Sequence, residues 1–156
     1  MTLAAPLGPD QIAALVPHQG TMCLLARVDA WDAQGIVCHA TNHRDHEHPL
    51  RTRSGLLSTC LIEYAAQAMA VHGALHGGAA ALASRPGLLA AARQVKLGLL
   101  KLDDLPQLYA DELRIEATCQ AADERQLLYS FTARHGAVQF ASGRITVVLN
   151  PPGRAA

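Results

Sequence analysis

Apolar residues along the chain fall into one long block followed by several alternating runs. The block, residues 55–82 (GLLSTCLIEYAAQAMAVHGALHGGAAAL), holds a single formal charge, Glu63. Ile62, Ala66, Met69, Ala70 and Gly73 recur at three- and four-residue spacing, the period of one helix face. Leu56, Leu57, Tyr64, Ala65, Val71, Ala74 and Leu75 cover much of the remaining circumference. A helix apolar nearly all round is either buried in a fold or inserted in a membrane. Glu63, Gln67, His72, His76 and the glycines interrupt the run, and no cationic cluster flanks it, so burial is the expectation. A carboxylate on such a helix is costly unless it is paired, protonated or chemically employed. Gln67 lies one turn further along the same face.

Ahead of the block, Pro9 and Asp10 open a short helix that runs to Leu15 and stops before Pro17. PHQGTM is a tight loop, residues 22–31 (MCLLARVDAW) read as a strand, Ala33 to Gly35 as a turn, and Ile36 to Thr41 as the returning strand of a hairpin. Residues 42–54, NHRDHEHPLRTRS, carry three histidines, three arginines and no regular period, which predicts a loop. Ser54 and Ser58 are candidate caps for the helix that follows. Gly77-Gly78 and Arg85-Pro86-Gly87 bracket a small-residue connection. Four strand-like runs come next: Leu88 to Leu100, Glu112 to Cys119, Leu127 to Arg134 and Val138 to Leu149. In the second of them Leu113, Ile115, Ala117 and Cys119 alternate with Arg114, Glu116, Thr118 and Gln120, as in a half-exposed antiparallel strand.

This order predicts an α+β fold in which one antiparallel sheet wraps a long central helix. The domain is expected over 9–149, with a disordered lead-in at 1–8 and a disordered tail at 150–156. One flank of the sheet stays open, and pairing with a second copy closes it, so a homodimer is expected.

Composition narrows the partners. Thirteen basic residues balance thirteen acidic ones, and only 4% of residues are aromatic, which argues against nucleic acid or an anionic membrane. The four cysteines are widely spaced and form no CxxC pair, as in a reduced protein. The N-terminus lacks the basic region of a signal peptide, and the expected compartment is the cytoplasm. His72 and His76 are one turn apart but lack a supporting ligand, and the loop set of His43, Asp45, His46, Glu47 and His48 reads as self-solvating. No metal is expected.

Two motifs carry a resemblance. LVPHQGTMCLLARV at 15–28 is similar to the L-P-H-R-x-P-F/M-L-L start of the beta-hydroxyacyl-ACP dehydratases. LIEYAAQA at 61–68 is similar to their L-x-x-E-x-x-A-Q helix, and RQVKLGLL (93–100) and ASGRITVVL (141–149) resemble later strands of that family. The chain looks most like the divergent dehydratase-like proteins encoded with aryl-polyene pigment synthesis. The active dehydratases carry G-H-F-P-G-x-P-x-x-P-G before the glutamate helix, with a catalytic histidine. Here the segment reads EHPLRTRSGLLSTCLIE: His48-Pro49 keeps roughly the family spacing to Glu63, but the glycines and later prolines are missing.

The resemblance implies a hotdog fold and loss of water from a 3-hydroxyacyl thioester, in fatty-acid or polyene synthesis. The substrate would ride on the phosphopantetheine arm of an acyl carrier protein, with no cofactor of the enzyme's own. Such chemistry needs a base for the C2 proton and an acid for the departing hydroxyl. Glu63 is the expected acid, its pKa raised by burial. His48, by spacing, and His18, by its PHQG motif, are the two candidate bases. Gln67 shares the Glu63 face, and helix amides at Gly55 and Leu56 are placed to polarise the thioester carbonyl. Arg51, with Arg44 and Arg53, would face the carrier's acidic surface or the arm's phosphate. Plainer readings stand beside these: Glu63 bonded to backbone or arginine, Gln67 as a packing hydrogen bond, and the arginines as an ordinary charged loop. Two rivals to the enzyme follow. One is a non-catalytic subunit forming a heterodimer with an active homologue, suggested by the missing loop. The other is an acyl thioesterase, since the same fold supports hydrolysis by a carboxylate-activated water.

Overall fold

Residues 6–77 and 87–149 are described in the computed structural model. Strands β1 (Arg27–Trp31) and β2 (Gly35–Ala40) form the predicted hairpin. Asp32 closes it by accepting the N–H groups of Gln34 (2.8 Å) and Gly35 (2.9 Å). The four later runs are also strands: β3 (Gly87–Leu97), β4 (Leu113–Ala122), β5 (Gln126–His135) and β6 (Val138–Leu149). All six pair antiparallel in one sheet, in the order β1-β2-β4-β5-β6-β3.

Alternation decides which residues meet the helix. Leu113, Ile115 and Ala117 on β4, with Tyr129, Phe131 and Ala133 on β5, are buried on the concave side. Against them lies α2 (Leu61–Gly77), with Leu61, Tyr64, Ala65, Ala68 and Val71 fully buried. The short α1 (Pro9–Ala13) adds Ile12 to the core. The predicted α+β architecture is the observed one. On the other side of α2, Ile62, Ala66, Ala70 and Gly73 are only half-buried. In the sheet, β3 is an edge strand that leaves Leu88 and Leu89 exposed. Among the described residues, no helix is long and apolar enough to cross a membrane.

Several boundaries differ from expectation, among them the ends of α1 (Ala13, not Leu15), β3 (Leu97, not Leu100) and β4 (Ala122, not Cys119), and three differences have a traceable reason. The helix expected from residue 55 starts at Leu61, after one 3-10 turn over Ser58–Cys60. Ser58 donates its N–H to Leu100 O (2.8 Å) and its hydroxyl to Leu99 O (2.6 Å), while Leu56 O accepts the Leu102 N–H (2.8 Å). Leu56 and Leu57 are therefore tied to the segment after β3, and Ser58 caps nothing. β1 starts at Arg27 rather than Met22, because Gly20–Met22 form a 3-10 turn and the Leu24 N–H goes to a side chain of α2. Leu7, in the expected lead-in, exchanges backbone bonds with Val28 at 3.0 and 2.9 Å. The connection after α2, from Gly78 to Pro86, and the expected tail lie outside the described residues.

Candidate active site

The two sequence motifs meet in space. Gln67 is fully buried on α2. Its Oε1 accepts the N–H of Leu24 (2.9 Å), and its Nε2 donates to Met22 O (2.7 Å). These two bonds set which way the amide faces, and the second Nε2 hydrogen is left for Glu63 Oε1 at 3.2 Å. The same carboxylate oxygen lies 2.7 Å from Nε2 of His18, in the PHQG loop. That loop is fixed in turn by Cys23, whose thiol donates to His18 O at 3.2 Å. Within the single chain the side chains of His18 and Glu63 are 27% and 29% exposed, so the carboxylate expected to be shut away is half-buried beside an imidazole. Nδ1 of His18 is buried with no hydrogen-bond partner among the described residues. The imidazole thus has one nitrogen on the acid and one uncommitted, a geometry that can accept and return a proton.

The structure does not bring His48 to Glu63. Nδ1 of His48 accepts the Leu50 N–H (3.1 Å), which leaves the ring proton on Nε2. Nε2 then donates to the Tyr64 hydroxyl (2.7 Å), which donates to Asn42 Oδ1 (2.6 Å). The ring is 4% exposed, and burial, helped by the charge of Arg51, lowers its pKa. Burial also pushes the Tyr64 hydroxyl well up, so this chain of bonds stays neutral.

Gly55, Leu56 and Arg51 are engaged within the fold. The Gly55 N–H goes to Thr52 O (3.1 Å) and the Leu56 N–H to Asp103 Oδ2 (2.7 Å), so neither amide is free to polarise a carbonyl. Gly55 has φ +114, and a Cβ there would sit 2.6 Å from Asp103 Oδ2, so only glycine fits. Arg51 donates to Asp103 Oδ1 (2.5 Å), Asp45 O (2.9 Å) and His43 O (3.0 Å). Its guanidinium ties the loop down instead of facing a ligand. Burial pushes the Asp103 carboxyl up, but the Arg51 bond and the Leu56 N–H outweigh it and hold the pKa below the ordinary range.

Sequence reasoning missed a second polar cluster. Asp111 Oδ1 accepts from Nε2 of both His135 (2.6 Å) and His43 (3.2 Å), and Oδ2 accepts from Arg44 Nε (2.7 Å). Arg44, then the two imidazoles, hold the Asp111 carboxyl far below its usual range. The three His and Asp ligand atoms lie within 4.8 Å of one another. An ionised carboxylate only accepts, so both imidazoles present N–H groups to it rather than lone pairs, and the cluster works as a clasp between loop and sheet. His72 is similarly engaged, with Tyr129 Oη at 2.6 Å and Asp32 O at 2.8 Å. Burial pushes the thiols of Cys38 and Cys60 up to about 12, which removes them as nucleophiles at neutral pH.

The ApeP-like family model, described as ApeP dehydratase, matches residues 10–155. Among solved structures, the dehydratase heterocomplex ApeI:P from Xenorhabdus doucetiae is similar at 22% identity, over 90% of this chain and 91% of that one, with a TM-score of 0.75. A thioesterase candidate from Silicibacter sp. TM1040 is similar at 13% identity, over 97% and 96% of the two chains, with a TM-score of 0.62. A mutant thioesterase from Pseudomonas aeruginosa is similar at 12% identity, over 79% of each chain, with a TM-score of 0.51. Among curated proteins none matches at a significant level. Identities of this size speak for the fold, which is the hotdog fold.

Proposed function

The chain belongs to the ApeP-like dehydratase family, and on that premise we propose that it removes water from a 3-hydroxyacyl thioester delivered on an acyl carrier protein. The observation that supports this reading is the 2.7 Å contact of His18 with Glu63, held in place by Gln67. The pair shares one proton along that bond. In the step proposed, the imidazole takes the C2 proton and the Glu63 carboxyl passes the shared proton to the C3 hydroxyl. The C3–O bond breaks to release water, the C2–C3 double bond forms, and the pair ends with the proton count it began with. On this reading His18 is the base, Glu63 the acid, and Gln67 a positioning residue. His48 and Arg51 shape the loop, and Gly55 and Leu56, bonded through both amide and carbonyl, hold its junction with the segment after β3.

A second reading rests on the uncovered surface. The half-buried face of α2 and the free edge of β3 leave room for another hotdog chain, and the similar ApeI:P structure is a heterocomplex. A homologous dehydratase in that place would make this chain one subunit of a mixed pair, whereas a second copy would give a homodimer.

Turnover of 3-hydroxyacyl-carrier substrate by the purified chain, alone and with a homologous dehydratase, separates the readings. Glu63→Gln is expected to lower enoyl formation by about 10²- to 10⁴-fold, the usual worth of a positioned proton donor. Free acid instead of enoyl product would point to hydrolysis. Activity only in the mixture would favour the subunit reading.

A further inference from the structure

The charge balance of the chain is not kept on every part of its sheet. On the convex side at the β1–β2 end, Arg27 bonds to Asp29 and Glu112, and on β4 Arg114 bonds to Glu116. At the β6–β3 end, Arg93, Lys96 and Arg144 are exposed, and among the described residues none has a carboxylate within ion-pair distance.

A local break in β3 makes this patch. Arg93 and Lys96 are three apart, so a regular strand would point them to opposite faces. The register instead pairs Arg93 with Arg144 and Lys96 with Ser142, so two residues of β3, Gln94 and Val95, stand against one of β6, Gly143. This bulge holds Gln94 at φ 51, an unfavourable angle for a residue with a side chain. Its result is to place both cations on the convex face. Arg93 then lies directly opposite Arg144, a like-charge pair that weakens the sheet unless an anion lies over it. Ser130 is the β5 partner of Arg144, and Thr132 that of Ser142, so hydroxyls fill the spaces between the cations. Lys96 and Arg144, with Ser130, Thr132 and Ser142, line an open hollow of about 550 Å³, and Arg93 is the β3 partner of Arg144 beside it.

We infer that this convex patch is a docking surface for the carboxylate-rich face of a small acidic protein. Resting on the function proposed above, that protein is the acyl carrier that delivers the thioester. Charge complementarity is one argument. Position is another: β3 leads into Leu99 and Leu100, whose carbonyls hold Ser58 just before α2, the helix that bears Glu63. The patch therefore sits on the strand that ends near the start of α2, on the face away from the helix, while the His18 loop enters the sheet at the opposite edge through β1. A chain added along the β3 edge would leave it open. Nucleic acid fits less well, because Phe131, the aromatic residue in the lining of the hollow, is buried and offers no free face to stack a base.

The test is binding of apo-carrier protein, without its arm, to the full chain and to the R93E/K96E/R144E variant, read by fluorescence anisotropy at low and moderate salt. The expected result is at least about tenfold weaker binding by the variant, and a wild-type affinity that falls steeply with salt. Should three reversals unfold the sheet, the milder R93Q/R144Q variant carries the same comparison. Equal carrier binding by wild type and variants would overturn the proposal, as would tighter binding of a short DNA duplex at the same salt. Turnover of a 3-hydroxyacyl N-acetylcysteamine thioester, which needs no carrier, separates the two readings. If that substrate turns over while the reversals leave carrier binding untouched, the docking surface fails and the dehydratase reading stands. If the reversals abolish carrier binding but no thioester is dehydrated, the surface stands and the catalytic reading fails.

Discussion

Two polar regions flank the buried helix, built from the same residue types and organised in opposite ways. In the loop from residue 42 to 55, the bonding groups singled out by the structure face inward. His48 is bonded through both nitrogens, Arg51 reaches three acceptors, and Arg44 meets Asp111 together with His135 and His43, whose Nδ1 is shut away without a partner among the described residues. Around Glu63 the bonding is incomplete. His18 keeps a nitrogen without a partner, and the pair stays about one quarter exposed at the start of α2. A histidine with both nitrogens engaged holds a fold together. One with a nitrogen to spare, beside a carboxyl group and open to solvent as His18 is and the fully buried His43 is not, is equipped for proton transfer. Density of His, Arg and Asp in a sequence therefore says little about reactivity until the partners are known.

Substitution of Asp111 tests the difference most sharply. Asp111→Asn takes a charged acceptor from two imidazoles and a guanidinium, and urea unfolding is expected to show a loss of about 3 kcal/mol. A change below about 0.5 kcal/mol would mean that the clasp holds nothing and that the two regions are alike. Gln67→Leu bridges the two behaviours. It strands the buried Leu24 N–H and the Met22 carbonyl, for about 2 kcal/mol of stability, and also frees the Glu63 carboxyl to turn. Activity is expected to fall beyond what the folded fraction explains, with kcat affected more than KM. A purely structural glutamine would lower both only through the amount of folded protein.

The smallest effect concerns pH. Burial lowers the pKa of His48 in the folded chain, so the unfolded chain binds the proton more readily. Stability from this group is complete above the unfolded value, about 6.5, and is lost as pH falls through the lower folded value. Melting temperature should decline from pH 7 to pH 5, and His48→Gln should flatten that decline. His43, its pKa also lowered by burial, leaves part of the slope in the variant. An unchanged slope would show that His48 is not held neutral. The Asp111 carboxyl acts in a separate window below about pH 4, since its folded pKa lies beneath the unfolded one.

Much of the sheet was legible in the sequence because alternation is a local property. Leu113, Ile115 and Ala117 point one way whatever lies beyond them. The helix start was not legible. Leu56 and Leu57 have the right hydrophobicity for α2, but their backbone is claimed by residues 100–102, which no local pattern reveals. Glu63 and Gln67 stood out as polar residues on an apolar helix, and the PHQG loop stood out by motif. What could not be read was which histidine reaches the acid, because the partners that take His48 away, Tyr64 and Asn42, are fixed by folding. Arg93 and Lys96 were visible only as part of a strand. Their shared face depends on an irregularity in β3, and a strict two-residue period would have separated them.

The acid and the imidazole sit on one polypeptide, and this has a consequence for mixed assemblies. If two copies associate and the proposed couple is the reacting one, blending a His18→Ala chain with a Glu63→Gln chain is expected to rebuild no working couple, because the two members meet within one chain. Output from such a blend should equal the sum of the two crippled preparations measured apart, so that every unaltered chain behaves as a self-sufficient centre.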